Sequence, residues 1–97
     1  MRAFLVAAAL LVAAPAFAQA PVTSAVLTDA AKAPASRTII DGANWRCEGA
    51  TCTASGGANQ PATRACRRVV ARFGTVSAFT YKGTTLSAEE LTACNAA

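Results

Sequence analysis

The chain has 97 residues, 54% of them hydrophobic, with four cysteines, no histidine and a net charge of +4. A chain this short holds one small domain, and without histidine it lacks the commonest general base and the usual partner of a catalytic serine or cysteine. So mild a basic excess serves solubility more than dedicated polyanion binding, and the placement of the charges says more than their sum.

The chain opens with Met1-Arg2, continues through an uncharged apolar run over residues 3–14, and reaches Ala16-Phe17-Ala18, the small-x-small pattern read by signal peptidase. This predicts an export signal over residues 1–18 with cleavage after Ala18. The apolar run is shorter than the roughly 20 residues that span a bilayer, and Pro15 ends it, so no transmembrane anchor is expected after cleavage. No cysteine follows directly, so a lipoprotein anchor is not indicated. Removing 18 residues from 97 leaves 79, and losing Arg2 lowers the charge from +4 to +3.

Residues 19–37 are rich in Ala, Pro, Thr and Ser, with scattered charges and no aromatic residue. They read as a flexible leader. Val22, Val26 and Leu27 could instead begin a short helix that continues through residues 28–32. The folded domain is expected over residues 38–97, beginning with the β-branched Thr38-Ile39-Ile40, which stops at the turn signal Asp41-Gly42.

Trp45-Arg46-Cys47 and Thr51-Cys52-Thr53 flank Glu48-Gly49-Ala50 and read as a β-hairpin. With Gly49 and Ala50 as its two-residue turn, Glu48 faces Thr51 and Cys47 faces Cys52. Trp45 then shares a face with Cys47, because side chains repeat every second residue. That placement makes Trp45 a core residue packed on the hairpin cysteines, the alternative being an exposed recognition residue.

After the Ser55-Gly56-Gly57 loop, residues 60–74 form the chain's most patterned stretch. Pro61 suits the first turn of a helix and Gly74 the position just past its end. At helical spacing Ala65, Cys66, Val69, Val70 and Phe73 gather on one side, and Arg64, Arg67, Arg68 and Arg72 on the other. Residues 76–82, with Phe79 and Tyr81 in alternation, fit a half-buried strand ending at Gly83. Ser87-Ala88-Glu89-Glu90 matches a capping box, with Leu86 and Leu91 placed as a hydrophobic staple. The short helix that follows carries Leu91 and Cys94 on one face.

A domain of this size buries only about 60% of its unfolded surface and depends on staples. An even cysteine count in an exported chain reads as a disulfide framework. Four cysteines allow three pairings, among which geometry favours Cys47 with Cys52 across the hairpin and Cys66 with Cys94 between the two helices. The longer loop is worth roughly 3 to 4 kcal/mol in the chain-entropy model and the hairpin loop about 2. A zinc site is the competing use of four cysteines, but Cys47 and Cys52 lie at the edge of the usual spacing and 27 residues separate Cys66 from Cys94. A redox enzyme would show Cys-x-x-Cys, which is absent. No metal and no cofactor is expected.

Serine occurs in no Gly-x-Ser-x-Gly elbow, and Gly56-Gly57 lacks any phosphate-loop context. Glu89 and Glu90 belong to the first turn of a helix, where capping and the helix dipole account for them. Asp41 and Glu48 could be imagined as an acid and base pair, but both sit in turns. An enzyme is therefore not expected.

Amphipathicity alone calls for polar residues on the outside of the residue 60–74 helix, yet it does not explain why all four are arginine. Lysine and glutamate would solvate the face with less mutual repulsion, whereas arginine offers a rigid donor fork for carboxylates and phosphates. The helix dipole favours Arg72 near the end, and an Ala- and Arg-rich composition also follows from a GC-rich genome.

The order Trp45-x-Cys47, Cys52, Pro61, Cys66-Arg67-Arg68, Phe79-x-Tyr81-x-Gly83 and Leu86-Ser87 to Cys94-Asn95 resembles a family of small uncharacterised exported proteins of alphaproteobacteria. The resemblance spans roughly residues 38–95, and its cysteine order with Cys-Arg-Arg is its most specific part. It implies a periplasmic or secreted domain without an enzyme's appearance and brings no established activity.

The expectation is thus an α+β fold, a small disulfide-stapled antiparallel sheet made of the hairpin and one further strand, packed with two helices, with the strand near Ile39 adding to the edge. Its function is expected to be binding, with Arg64, Arg67, Arg68 and Arg72 contacting an anionic envelope component or an acidic protein. Alternatives are a ligand-free structural or stress-related envelope protein and, further off, a thiol-redox or other enzyme. Nucleic acid is disfavoured by export and by the lack of aromatic residues between the basic ones.

Overall fold

The computed structural model describes residues 22–96. The export signal expected over residues 1–18 lies outside the described residues. The fold is α+β: one antiparallel sheet of six strands in the order β2-β3-β4-β1-β5-β6, with two helices packed on one of its faces. The strands are β1 (Thr23–Leu27), β2 (Thr38–Ile40), β3 (Ala43–Glu48), β4 (Thr51–Gly56), β5 (Val76–Tyr81) and β6 (Thr84–Thr85), and the helices α1 (Ala62–Phe73) and α2 (Ala88–Ala96).

The sequence expectation of a flexible leader over residues 19–37 lies in part, at residues 19–21, outside the described residues, and among those described it is overturned by β1. This strand lies inside the sheet, paired with β4 through Ala25↔Cys52 and with β5 through Ala25↔Phe79. Thr23, Ala25 and Leu27 are buried, the last two within the hydrophobic core. Its first residues are tied down from the far hairpin, where the Lys82 N–H donates to Thr23 Oγ1 at 2.9 Å and the Gly83 N–H to the Val22 carbonyl at 2.9 Å. The folded domain therefore includes residue 23 and does not begin at residue 38. The alternative helix through residues 28–32 reduces to a 3-10 turn at Ala30–Lys32, capped where the Ala31 N–H donates to Asp29 Oδ1 at 3.0 Å.

The hairpin of β3 and β4 has the expected register, with Cys47 opposite Cys52 and Glu48 opposite Thr51. Gly49, with φ of 64°, takes the first turn position, where a positive φ suits the right-handed twist of the strands. β2 joins the edge through a second two-residue turn, Asp41-Gly42, with both residues at positive φ, 49° and 82°. Asp-Gly is the dipeptide such a mirror-image turn favours. A third tight turn, Lys82-Gly83, leads into the two-residue β6, which the sequence does not announce.

Alternation along the strands sends Ile40, Ala43, Trp45, Cys52, Phe79 and Tyr81 into the core, and Val76 joins them because the pairing of β1 with β5 shifts register between Val76 and Ala78. Trp45, 1% exposed, is its centre: its ring meets Phe73 of α1 edge-to-face at 6.2 Å and stacks near Phe79 at 6.2 Å. Each such pair adds about 0.5–1.5 kcal/mol beyond the apolar area it buries. Thr51, Thr53, Ser55 and Arg46, on the opposite face, are exposed.

Helix α1 buries Ala65, Cys66, Val69 and Phe73, and Val70 is half-buried, as the periodicity requires. Pro61 caps the helix one position ahead of its expected place in the first turn, and the chain leaves at Gly74, with φ of 86°. Helix α2 begins with the expected capping box: the Ser87 N–H donates to Glu90 Oε1 at 2.8 Å, and the Glu90 N–H to Ser87 Oγ at 3.2 Å. Near its end Asn95 acts as a short substitute strand, accepting from the Val76 N–H at 2.9 Å and donating to the Val76 carbonyl at 2.8 Å.

Both disulfides are those that geometry favours. Cys47–Cys52 closes the hairpin and Cys66–Cys94 joins α1 to α2, leaving no free thiol. Loops of 28 and 5 residues set their relative worth. Replacing Cys66 and Cys94 with alanine is expected to lower the unfolding free energy by about 3.5 kcal/mol, against about 2 for Cys47 and Cys52, as read by urea denaturation. Equal losses would contradict the chain-entropy account.

Candidate functional site

The exposed side of α1 and the outer strand β2 border one another, and between them lies an open groove of about 550 Å³. Spacings of three and four residues align Arg64, Arg67, Arg68, Ala71 and Arg72 along the helix. Of these, Arg67, Arg68, Ala71 and Arg72 line the groove from one side, and Ile39, Ile40 and Asp41 from the other. Ala71 gives it an apolar component between the guanidinium groups, and Ile39, whose side chain alternates to the face opposite the buried Ile40, borders it as the outer edge of the sheet. Arg64 is exposed and lies one turn towards the helix start, outside the lining.

The arginines are not equivalent. Arg68 is held in a two-pronged ion pair, its Nε donating to Asp41 Oδ2 at 3.0 Å and its Nη2 to Asp41 Oδ1 at 3.1 Å. Gln60 Nε2 adds a third donor to Asp41 Oδ2 at 3.3 Å. The left-handed turn aims this carboxylate at the helix, and its backbone is fixed in turn, with the Ala58 N–H donating to the Asp41 carbonyl at 2.9 Å. Among the described residues this is the single ion pair, and Asp41 is the only carboxylate lining the groove. Arg67 and Arg72 therefore present charge that no acidic neighbour in the groove offsets.

Sequence reasoning picked out all four arginines but treated them alike. It missed Asp41 as the partner of Arg68, because the two lie 27 positions apart and no local spacing connects them. It also missed Ile39 as a lining residue. The signal that could have located Asp41 is the Asp-Gly turn, which fixes the direction of the side chain leaving it.

The hydrogen bonds from Arg68, then that from Gln60, then the charges of Arg68 and Arg64, hold the Asp41 carboxyl below its ordinary value of 3.8. A carboxyl lowered on folding contributes stability above its unfolded pKa and loses that contribution as the pH falls through the folded value. Asp41→Asn, which tolerates the same left-handed turn, is expected to be less stable than the native chain above about pH 4. The difference should vanish on further acidification when urea midpoints are compared from pH 6 down to pH 2. A difference independent of pH would mean that the ion pair does not stabilise the fold.

No curated protein and no solved structure matches the chain. A described family does match, over residues 7–96, a stretch that takes in β1, both disulfides and every residue of the groove. On that match the chain belongs to the family of unknown function DUF8200.

Proposed function

We propose that the protein is an exported, non-enzymatic binding module of the cell envelope, and that its groove between α1 and β2 takes an anionic envelope component or an acidic protein. The observation that carries this reading is the state of charge in the groove. Arg68 neutralises Asp41, while Arg67 and Arg72 flank the apolar Ala71 with no acidic partner there. Guanidinium groups beside apolar surface suit a ligand that offers carboxylates or phosphates on an otherwise uncharged body.

Export is supported by the two disulfides, which persist in an oxidising compartment, and by the apolar run ahead of Ala16-Phe17-Ala18. No helix among the described residues is long and apolar enough to cross a membrane. A ligand-free structural role is the second reading, favoured by the ion pair itself, since it gives Arg68 a task within the fold.

Retention on immobilised envelope fractions across a salt series distinguishes the two. The native protein is expected to be retained at low salt and released as salt rises. Arg67→Ser with Arg72→Ser is expected to weaken retention about tenfold or more, since each arginine near an anionic surface is worth about 1 kcal/mol. Identical elution of the two proteins would leave the groove with no anionic partner and favour the structural role.

A further inference from the structure

The groove has a second recognition element, the free edge of β2. The two-residue turn Asp41-Gly42 makes its flanking pair, Ile40↔Ala43, the hydrogen-bonded one, so the next pair, Ile39↔Asn44, is of the non-bonded kind. The Ile39 N–H and C=O consequently point away from β3, towards the open side of the sheet. Neither group has a backbone partner elsewhere among the described residues. The Ile39 side chain is 59% exposed, one of two large apolar side chains so exposed among those residues.

We infer that the occupant of the groove is an extended acidic peptide segment that pairs with β2 at Ile39 and sets carboxylates against Arg67 and Arg72. This inference rests on the groove being an anion site and specifies the class of anion. A strand added antiparallel beside β2 would exchange a pair of hydrogen bonds with Ile39, the mode by which exposed sheet edges capture peptides. Strand alternation then dictates the side chains of the guest. The residue opposite Ile39 shares its face of the sheet, away from α1, and gains most from being apolar and β-branched. Its two neighbours turn to the other face, where the arginines of α1 stand, and gain most from being Glu or Asp. The recognised pattern is acidic, apolar, acidic, in an extended backbone.

Phosphate or sugar anions could meet the arginines but would leave the Ile39 donor and acceptor without partners. A second copy of this chain pairing through β2 would bring the arginine faces together with like charge. With only three residues in β2, strand pairing by itself is weak, so the charges and the edge are both needed.

The test uses the oxidised full chain and a fluorescein-labelled peptide of alternating valine and glutamate, read by anisotropy at low salt. One derivative is N-methylated at every valine, which blocks the backbone edge that would meet Ile39. Another is N-methylated at every glutamate, which blocks only the opposite edge. The parent peptide is expected to bind, the valine-methylated form to bind about tenfold or more weaker, and the glutamate-methylated form to bind like the parent. The Ile39 amide is expected to exchange with solvent more slowly once peptide is bound.

Equal binding of all three peptides, lost in Arg67→Ser with Arg72→Ser, would overturn strand pairing while leaving the anion site intact. Arginine-dependent binding of phosphatidylglycerol vesicles with no binding of peptide would overturn it in favour of a membrane surface. Protection of the Ile39 amide without peptide, rising with protein concentration, would overturn it in favour of a second copy. Failure of both peptide and vesicles to bind, with envelope retention unaffected by the arginine substitutions, would remove the anion site as well.

Discussion

The insertion of β1 between β4 and β5 is the constraint from which the rest of the structure follows. Without it the sheet falls into two pieces, the β2-β3-β4 meander and the β5-β6 hairpin, which share no hydrogen bond with each other. A lone hairpin is marginal in water, and three strands need a covered face. The ladders on either side of Ala25 make one surface of the two pieces and bring Phe79 of β5 beside Trp45 of β3. On that surface α1 settles with Phe73 against Trp45, and Cys66–Cys94 holds α2 against α1. The position of the arginine row relative to β2 is thus a distant consequence of a five-residue strand of small side chains.

The opening between α1 and β2 derives its chemistry from a division of labour among similar residues. An amphipathic helix must expose polar side chains somewhere, and that requirement is indifferent to their kind. The Asp41-Gly42 turn changes this by placing one carboxylate where Arg68 can grip it with two donors. The pair fastens the edge hairpin to the helix and leaves the groove net positive through Arg67 and Arg72. Ala71, one side chain along, is small enough to leave room between them.

Local signals made much of this legible from sequence. The hairpin of Cys47 and Cys52 was announced by the flanks Trp45-Arg46-Cys47 and Thr51-Cys52-Thr53 around a glycine turn, α2 by its capping box, and α1 by its period with Pro61 and Gly74 as brackets. The disulfide pairing followed from these elements because each placed its cysteine on a known face. β1 was not legible, since the short Thr-Ser-Ala-Val-Leu carries no aromatic residue and pairs with residues 25 to 56 positions away. Its burial is conferred by neighbours on both sides, and the Ala- and Pro-rich surroundings resemble a leader. β6 consists of two threonines and is visible only as the return of a tight turn. In the groove, the arginines were legible as a row, but the distinction between Arg68 and its neighbours required the fold, because Asp41 reaches it across the chain.

The measurement that tests the account most directly is mapping of amide chemical shifts in the isotopically labelled protein as anionic envelope extract is added. The groove predicts that perturbations gather at Ile39, Ile40, Asp41, Arg67, Ala71 and Arg72, and leave the far face of the sheet around Arg46, Thr53 and Ser55 unchanged. Perturbations centred on that far face, or none at saturating extract, would contradict it.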